Sequence, residues 1–195
     1  MCCTVSHSLE REILNEVNEL RRDPRNYANK VNKFKGYLEG NILRVPGVLA
    51  GIKTEEGAAA YDEAINFLRS AESAEQLTPS KGLGQIADEL YGKIQHVDPN
   101  NLGDIDMDAI IDKYGSFTGK FSRSFEFGGS TAELIVVNLV VSDGDKSRGQ
   151  RNALLNKEVL KVGIKHGKHD TYRVCTVIAC CSKFENKSGD DTAHL

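Results

Sequence analysis

No run of apolar residues in this chain of 195 approaches the ~18–20 needed to cross a bilayer as a helix, which excludes a helical transmembrane protein. Positive charge is equally scarce. The 25 Lys+Arg stand against 28 Asp+Glu, for a formal net charge of -3, so the clustered excess that phosphate binding needs is missing and nucleic acid is not an expected partner. The opening Met1-Cys2-Cys3-Thr4-Val5-Ser6-His7-Ser8 has no basic region followed by an apolar stretch, so no cleavable secretory leader is expected and the chain reads as cytoplasmic. Its 5 cysteines are an odd number with no Cys-x-x-Cys spacing, and neighbours such as Cys180 and Cys181 are poor disulfide partners. Free thiols in a reducing compartment follow, and a cysteine-based zinc site does not. Lys81-Gly82-Leu83-Gly84-Gln85 lacks both the Lys-Ser/Thr ending and the preceding strand of a phosphate loop, and no Gly-x-Ser-x-Gly elbow occurs.

What remains is an ordinary globular composition, 39% hydrophobic and 27% charged, at a length that suits one compact domain. We place that domain at residues 9–184, between an N-terminal tail over 1–8 and a disordered tail over 185–195. Leu9, Ile13, Leu14, Val17 and Leu20 recur at helical spacing, with Glu10 and Glu12 at the start and Arg21 and Arg22 at the end, where they complement the helix dipole. Asp23-Pro24 then ends this helix and caps a second one carrying Tyr27 and Val31. Residues 36–76, rich in glycine at first and helical after Thr54, read as an insert between core elements. Leu83, Ile86, Ala87, Leu90, Tyr91 and Ile94 keep the 3.6-residue period, and a short helix runs from about Asp104 to Tyr114. A loop is expected from there to Gly129. The β-branched run Leu134–Val141 reads as a buried strand on propensity, and 159–165 with 172–183 as a hairpin turning at 166–170.

Several clusters invite a chemical reading. Asp104, Asp106, Asp108 and Asp112 imitate a calcium loop, but its turn glycine is Ala109 and its bidentate glutamate is Gly115, so helix solvation is the simpler account. His166 and His169 read as an exposed turn pair. Cys175, Cys180 and Cys181 fall in an apolar strand, where thiols are inert packing groups. Cys2 and Cys3 are candidates for S-palmitoylation, since two acyl chains anchor stably where one does not. The segment Ile42, Leu43, Val45, Val48, Leu49 and Ile52, with only Arg44 charged, must either cover a flank of the domain or dock onto a partner.

Three separated motifs carry a family resemblance. They are Asn18-Glu19-Leu20-Arg21 in the first helix, the entry from Leu77 into the helix up to Tyr91, and Ser142-Asp143-Gly144-Asp145-Lys146-Ser147-Arg148-Gly149-Gln150-Arg151-Asn152-Ala153-Leu154-Leu155-Asn156 followed by Val162-Gly163-Ile164. As an ordered set they resemble the CAP superfamily of cysteine-rich secretory, antigen 5 and pathogenesis-related proteins, in a form without disulfides. The resemblance implies an α/β fold, a three-layer α-β-α sandwich with a mainly antiparallel central sheet, and makes Thr131–Val141 a core helix. It also implies a cleft in which many members hold a divalent metal with two histidines and two acids. Here the motif histidine is Gln150, Arg123 aligns with one acid, Glu126 lies three residues beyond it, His96 matches the first histidine and Glu133 the remaining acid. Gly149 and Gln150 are expected in a turn at the cleft floor.

The leading expectation is therefore a non-catalytic intracellular interaction module with a degenerate cleft and neither metal nor cofactor. Its partner is expected to be a protein or assembly, with a membrane surface or the cytoskeleton within reach through acylation. Lipid or sterol carriage in an apolar groove, and a residual metal-dependent hydrolase, are the alternatives.

Overall fold

The computed structural model describes residues 8–48, 51–101 and 103–187. It is a mixed α/β fold with seven α-helices and two sheets among these residues. Helix α1 (Leu9–Arg22) starts on Ser8, whose side chain accepts from Arg11 N, and α2 (Pro24–Lys35) starts on Asp23, which accepts from Asn26 N. Strands β1 (Leu38–Glu39), β2 (Ile42–Leu43) and β3 (Ile52–Lys53) form a small antiparallel sheet. Helix α3 (Ala58–Ser70) follows. Strand β4 (Thr78–Pro79) leads into α4 (Lys81–Ile94), then a 3-10 turn at Pro99–Asn101 and α5 (Met107–Tyr114), capped by Asp106. That cap is the use the structure finds for an aspartate of the calcium-like run. Strand β5 (Gly115–Phe127), α6 (Ala132–Val141), α7 (Gly149–Leu155), β6 (Lys161–His169) and β7 (Arg173–Asn186) complete the order. The main sheet runs β4-β6-β7-β5, with β5 and β6 antiparallel to β7 and β4 parallel to β6.

Successive residues of β7 serve different clusters of buried side chains. Ile178 and Cys180 join α1, α2, α3 and α6, whereas Cys175, Val177, Ala179 and Cys181 join α4 and α5. This is the period-2 alternation of a strand covered on both faces. The insert is not peripheral to that arrangement, because Ala60, Tyr61, Ala64, Ile65 and Leu68 of α3 are all buried in the first cluster.

Five local expectations need correction. Residues 115–127 are a strand rather than a loop, paired with β7 from Gly115↔Asn186 to Phe127↔Cys175. A bulge between Thr118 and Phe121, with Gly119 at φ +85, shifts the inside-outside alternation and hides the strand pattern in the sequence. The run 134–141 is helical, as the resemblance implied and propensity did not. Thr131 caps it by accepting from Leu134 N, and seven of its apolar side chains are buried, so packing on all sides outweighs the few tenths of a kcal/mol lost per β-branched residue. The hairpin turns at 170–172, not 166–170: His166 lies within β6 and bonds Thr176 Oγ1 at 2.9 Å. His169 is buried and accepts from the Thr171 and Tyr172 N–H groups, so the two histidines are not an exposed pair. Finally, Glu185 and Asn186 belong to β7 rather than to a tail.

The resemblance motifs turn out to be structural fastenings. Asn18 both donates to Leu77 O and accepts from Leu77 N, while Arg21 is fully buried rather than solvated at the helix end. Arg148 pairs with Glu56 and Glu63, and buried Arg151 with Glu63, which ties α7 to the insert. Gly163 lets α4 lie directly on β6, since a Cβ there would sit 2.0 Å from the Leu83 carbonyl carbon. Gly163→Ala is expected to lower unfolding stability by about 3 kcal/mol, as overpacking against backbone forces a shift of α4. Urea denaturation checks this, and an unchanged midpoint would contradict it.

Candidate functional site

Three cavities stand out among the described residues. The largest, about 570 Å³, is open and lies beside the start of α4, where Lys165 is paired with Asp88 at 3.0 Å. Another, about 290 Å³, lies against α1 beside Asn18 and Arg22. The smallest, about 210 Å³, contains both Glu126 and Gln150, and it is the place where the residues singled out from the sequence converge.

This cleft is built from five parts of the chain. Strand β5 carries Glu126 in from one side, flanked by Phe125 and Phe127. The C-terminal half of α6 supplies Asn138 and Val141, and the chain then turns through Ser142, whose backbone is left-handed at φ 53. Gln150 comes from the first turn of α7, so Gly149 and Gln150 are helical rather than in a turn. The insert closes the remaining wall with Leu43, Ile52 and Tyr61. Asp143 fixes this wall in place, because its carboxylate accepts from the backbone N–H groups of Glu55 at 2.5 Å and Glu56 at 2.9 Å.

Glu126 is buried, and burial pushes its carboxyl up to about 7. The Asn138 amide, donating at 2.8 Å, and the Gly129 N–H, donating at 3.1 Å, act against that rise without cancelling it. Oε1 thus accepts from both donors, while Oε2 shares the Gly129 N–H. By contrast, Gln150 Oε1 and Ser142 Oγ are buried and have no hydrogen-bond partner. Burial and the nearby Asp143 carboxylate hold the Tyr61 phenol above its ordinary pKa, so it stays neutral.

Of the five cleft candidates read from sequence, the structure brings only Glu126 and Gln150 together. Arg123 is exposed on β5, opposite Ala179, with its guanidinium over the Phe125 ring, so it does not line the cavity that Glu126, three residues on, enters. His96 is exposed and bonds Asp170 at 2.8 Å, away from the cavity lining. Glu133 is half-buried and pairs with Lys33 at 3.4 Å. Among the described residues no three His, Cys, Asp or Glu side chains are grouped so as to hold a metal. Cys2, Cys3 and Leu49 lie outside the described residues.

The apolar segment of the insert is also reassigned. Leu43 is 1% exposed, and Val45, Val48 and Ile52 pack against the domain's own core, leaving Ile42, at 38%, as the member of the described set that faces solvent. It is a wall of the fold. The thiols of Cys180 and Cys181 are pushed up to about 12 by burial, and that of Cys175 to about 11, as expected for packing groups.

Sequence reasoning missed Asn138, Ser142 and Tyr61. Asn138 had a signal: it is the lone polar residue in Leu134–Val141, and a polar side chain in an otherwise buried run needs a partner. No family model, curated protein or solved structure matches the chain. No helix among the described residues is long and apolar enough to cross a membrane.

Proposed function

We propose that the chain is a non-catalytic, intracellular binding module with the three-layer α-β-α architecture of the CAP superfamily, in which a cleft that holds metal in other members has become a metal-free pocket. The observation that carries this reading is the pairing of Gln150 with Glu126 in one cavity that neither His96 nor Glu133 reaches. A carboxamide is a poor zinc ligand, no histidine or cysteine lines the cavity, and its two carboxyls are engaged, Glu126 by Asn138 and Gly129 and Asp143 by the Glu55 and Glu56 N–H groups, so the donor set does not fit zinc. The separate burial of alternate β7 residues supports the layered architecture, and the unpaired, inert thiols of β7 support a reducing compartment.

Less supports the lipid-carrier alternative, whose groove would need Leu43, Val45, Val48 and Ile52 free of their own core. Calorimetry with zinc provides the test. The native chain is expected to show no one-to-one site of micromolar or greater affinity. A site of that strength, lost in Glu126→Gln, would overturn the reading.

A further inference from the structure

We infer that the open edge of β5 takes up an extended segment of a protein partner by strand addition, a segment with an acidic residue between two apolar ones at alternate positions. The inference rests on the reading of the chain as a binding module, and it names the surface and the chemistry of the partner. In the main sheet β5 pairs with β7 on one side, and among the described residues no strand lies on the other. The Gly128 N–H donates to Val174 O at 2.9 Å, and the register sets Ser122, Ser124 and Glu126 opposite Cys180, Ile178 and Thr176 in step with that bond. These even positions therefore turn their N–H and C=O groups toward β7. Phe121, Arg123, Phe125 and Phe127 turn theirs to the open edge, where no strand of the described residues meets them.

By the period of two, the side chains of these four positions share one face. Phe121, Phe125 and Phe127 pack there against the cluster of α4 and α5, while Arg123 is exposed. A residue added beside Phe121 or Phe125 gains apolar contact, and one added beside Arg123 meets a guanidinium, which selects the order apolar, acidic, apolar. Lys120, also exposed, puts a second cation at the bulge, whereas Glu126, the lone acid of β5, is buried. The cleft beside Phe125 and Phe127 carries both Lys53 and Asp143, so the choice of sign comes from Arg123 and Lys120. A second copy of the chain is the poorer occupant, because antiparallel self-pairing of this stretch would face cations with cations and present no exposed acid of β5 to meet them. The charges that guard the edge against copies of itself are thus the groups with which an acidic strand pairs.

The probe is a blocked peptide, Thr-Val-Thr-Glu-Thr-Val-Thr, titrated into the full chain and followed by amide NMR. Saturable shifts and slowed hydrogen exchange are expected at the Phe121, Arg123 and Phe125 amides, with binding at least tenfold tighter than that of an analogue carrying lysine in place of glutamate. Arg123→Glu, an exposed substitution expected to leave the unfolding midpoint unchanged, is expected to reverse that preference. Only alternate N–H groups of an added strand point at its neighbour. Methylating the glutamate nitrogen is therefore expected to abolish binding, and methylating that of the following threonine to leave it largely intact. Equal binding of the lysine peptide, equal binding of the two methylated peptides, or no saturable shift at these amides overturns the inference. So does protection of these amides by self-association of the native chain, seen as a dimer in sedimentation, which would make a second copy the occupant. A tight zinc site would instead overturn the metal-free reading beneath it, whatever the peptide does.

Discussion

Replacing Arg21 by leucine is expected to lower unfolding stability by at least about 4 kcal/mol, a large share of the 5–15 kcal/mol typical of a domain. Arg21 sits at the C-terminal end of α1 with its side chain fully buried. Its guanidinium donates to four backbone carbonyls: Glu75 at 2.6 Å, Leu154 at 2.5 Å, Asn156 at 3.1 Å and Val159 at 2.8 Å. The first belongs to the segment that leaves α3, and the others to the end of α7 and the approach to β6. One side chain therefore fastens the segment after α3 and the chain from the end of α7 to the start of β6, all remote from it in sequence. Burial holds the Arg21 pKa below its ordinary value, which records the desolvation that these four bonds offset. Leucine keeps the apolar stem but removes the donor from the Glu75, Leu154 and Val159 carbonyls and leaves Asn156 O with the Val159 N–H alone. Lysine is expected to recover little of the loss, because a compact ammonium has three donors and lacks the planar fork that spans the carbonyls. Urea unfolding of Arg21→Leu and Arg21→Lys checks both statements, and a loss under 1 kcal/mol in the leucine variant would contradict the first.

The second large effect is a dependence of stability on pH that belongs to Glu126. Its carboxyl has an ordinary value of 4.5 in the unfolded chain and is raised to about 7 when buried in the fold. Between these values the folded state holds a proton that the unfolded state has released, so stability falls as pH rises. The contribution is fully present below about 4.5 and is lost once pH has passed about 7. Its size is on the order of 3 kcal/mol, the free energy of moving one carboxyl from 4.5 to about 7. Glu126→Gln keeps an acceptor for Asn138 and Gly129 and carries no charge at any pH. The variant is therefore expected to be more stable than the native chain at pH 8, to match it near pH 4.5, and to lose most of the slope between. Thermal unfolding of both chains across this range measures the difference. Parallel profiles would show that Glu126 remains ionised in the fold.

Much of the helical framework was legible from local signals. The apolar stripes of α1, α2, α3 and α4 and the caps Ser8, Asp23 and Asp106 are sequence features whose physical cause lies within a few residues of each other. Arg21 was half legible. It follows Val17 by four positions and Leu14 by seven, which places it on the buried stripe of α1, yet a cation at a helix end also has an exposed role in complementing the dipole. The choice depended on four carbonyls at positions 75, 154, 156 and 159, none of them near it in sequence.

The candidate site was decided almost wholly by tertiary structure. Glu126, Ser142 and Gln150 share a cavity because β5 pairs along β7, some fifty to seventy residues away, and a bulge at Thr118/Phe121 then sets which side chains turn toward α6. That register could not be read from composition, and three residues along β5 separate the exposed Arg123 from Glu126 in the cavity. The same holds for α6, whose residues favour a strand one by one and form a helix because the fold buries them on every side. Local sequence fixes what a helix start or an amphipathic stripe requires, since both ends of those interactions lie within one turn. Strand pairing, buried guanidinium contacts and cleft composition join distant segments, so their energy exists only once the chain has closed on itself.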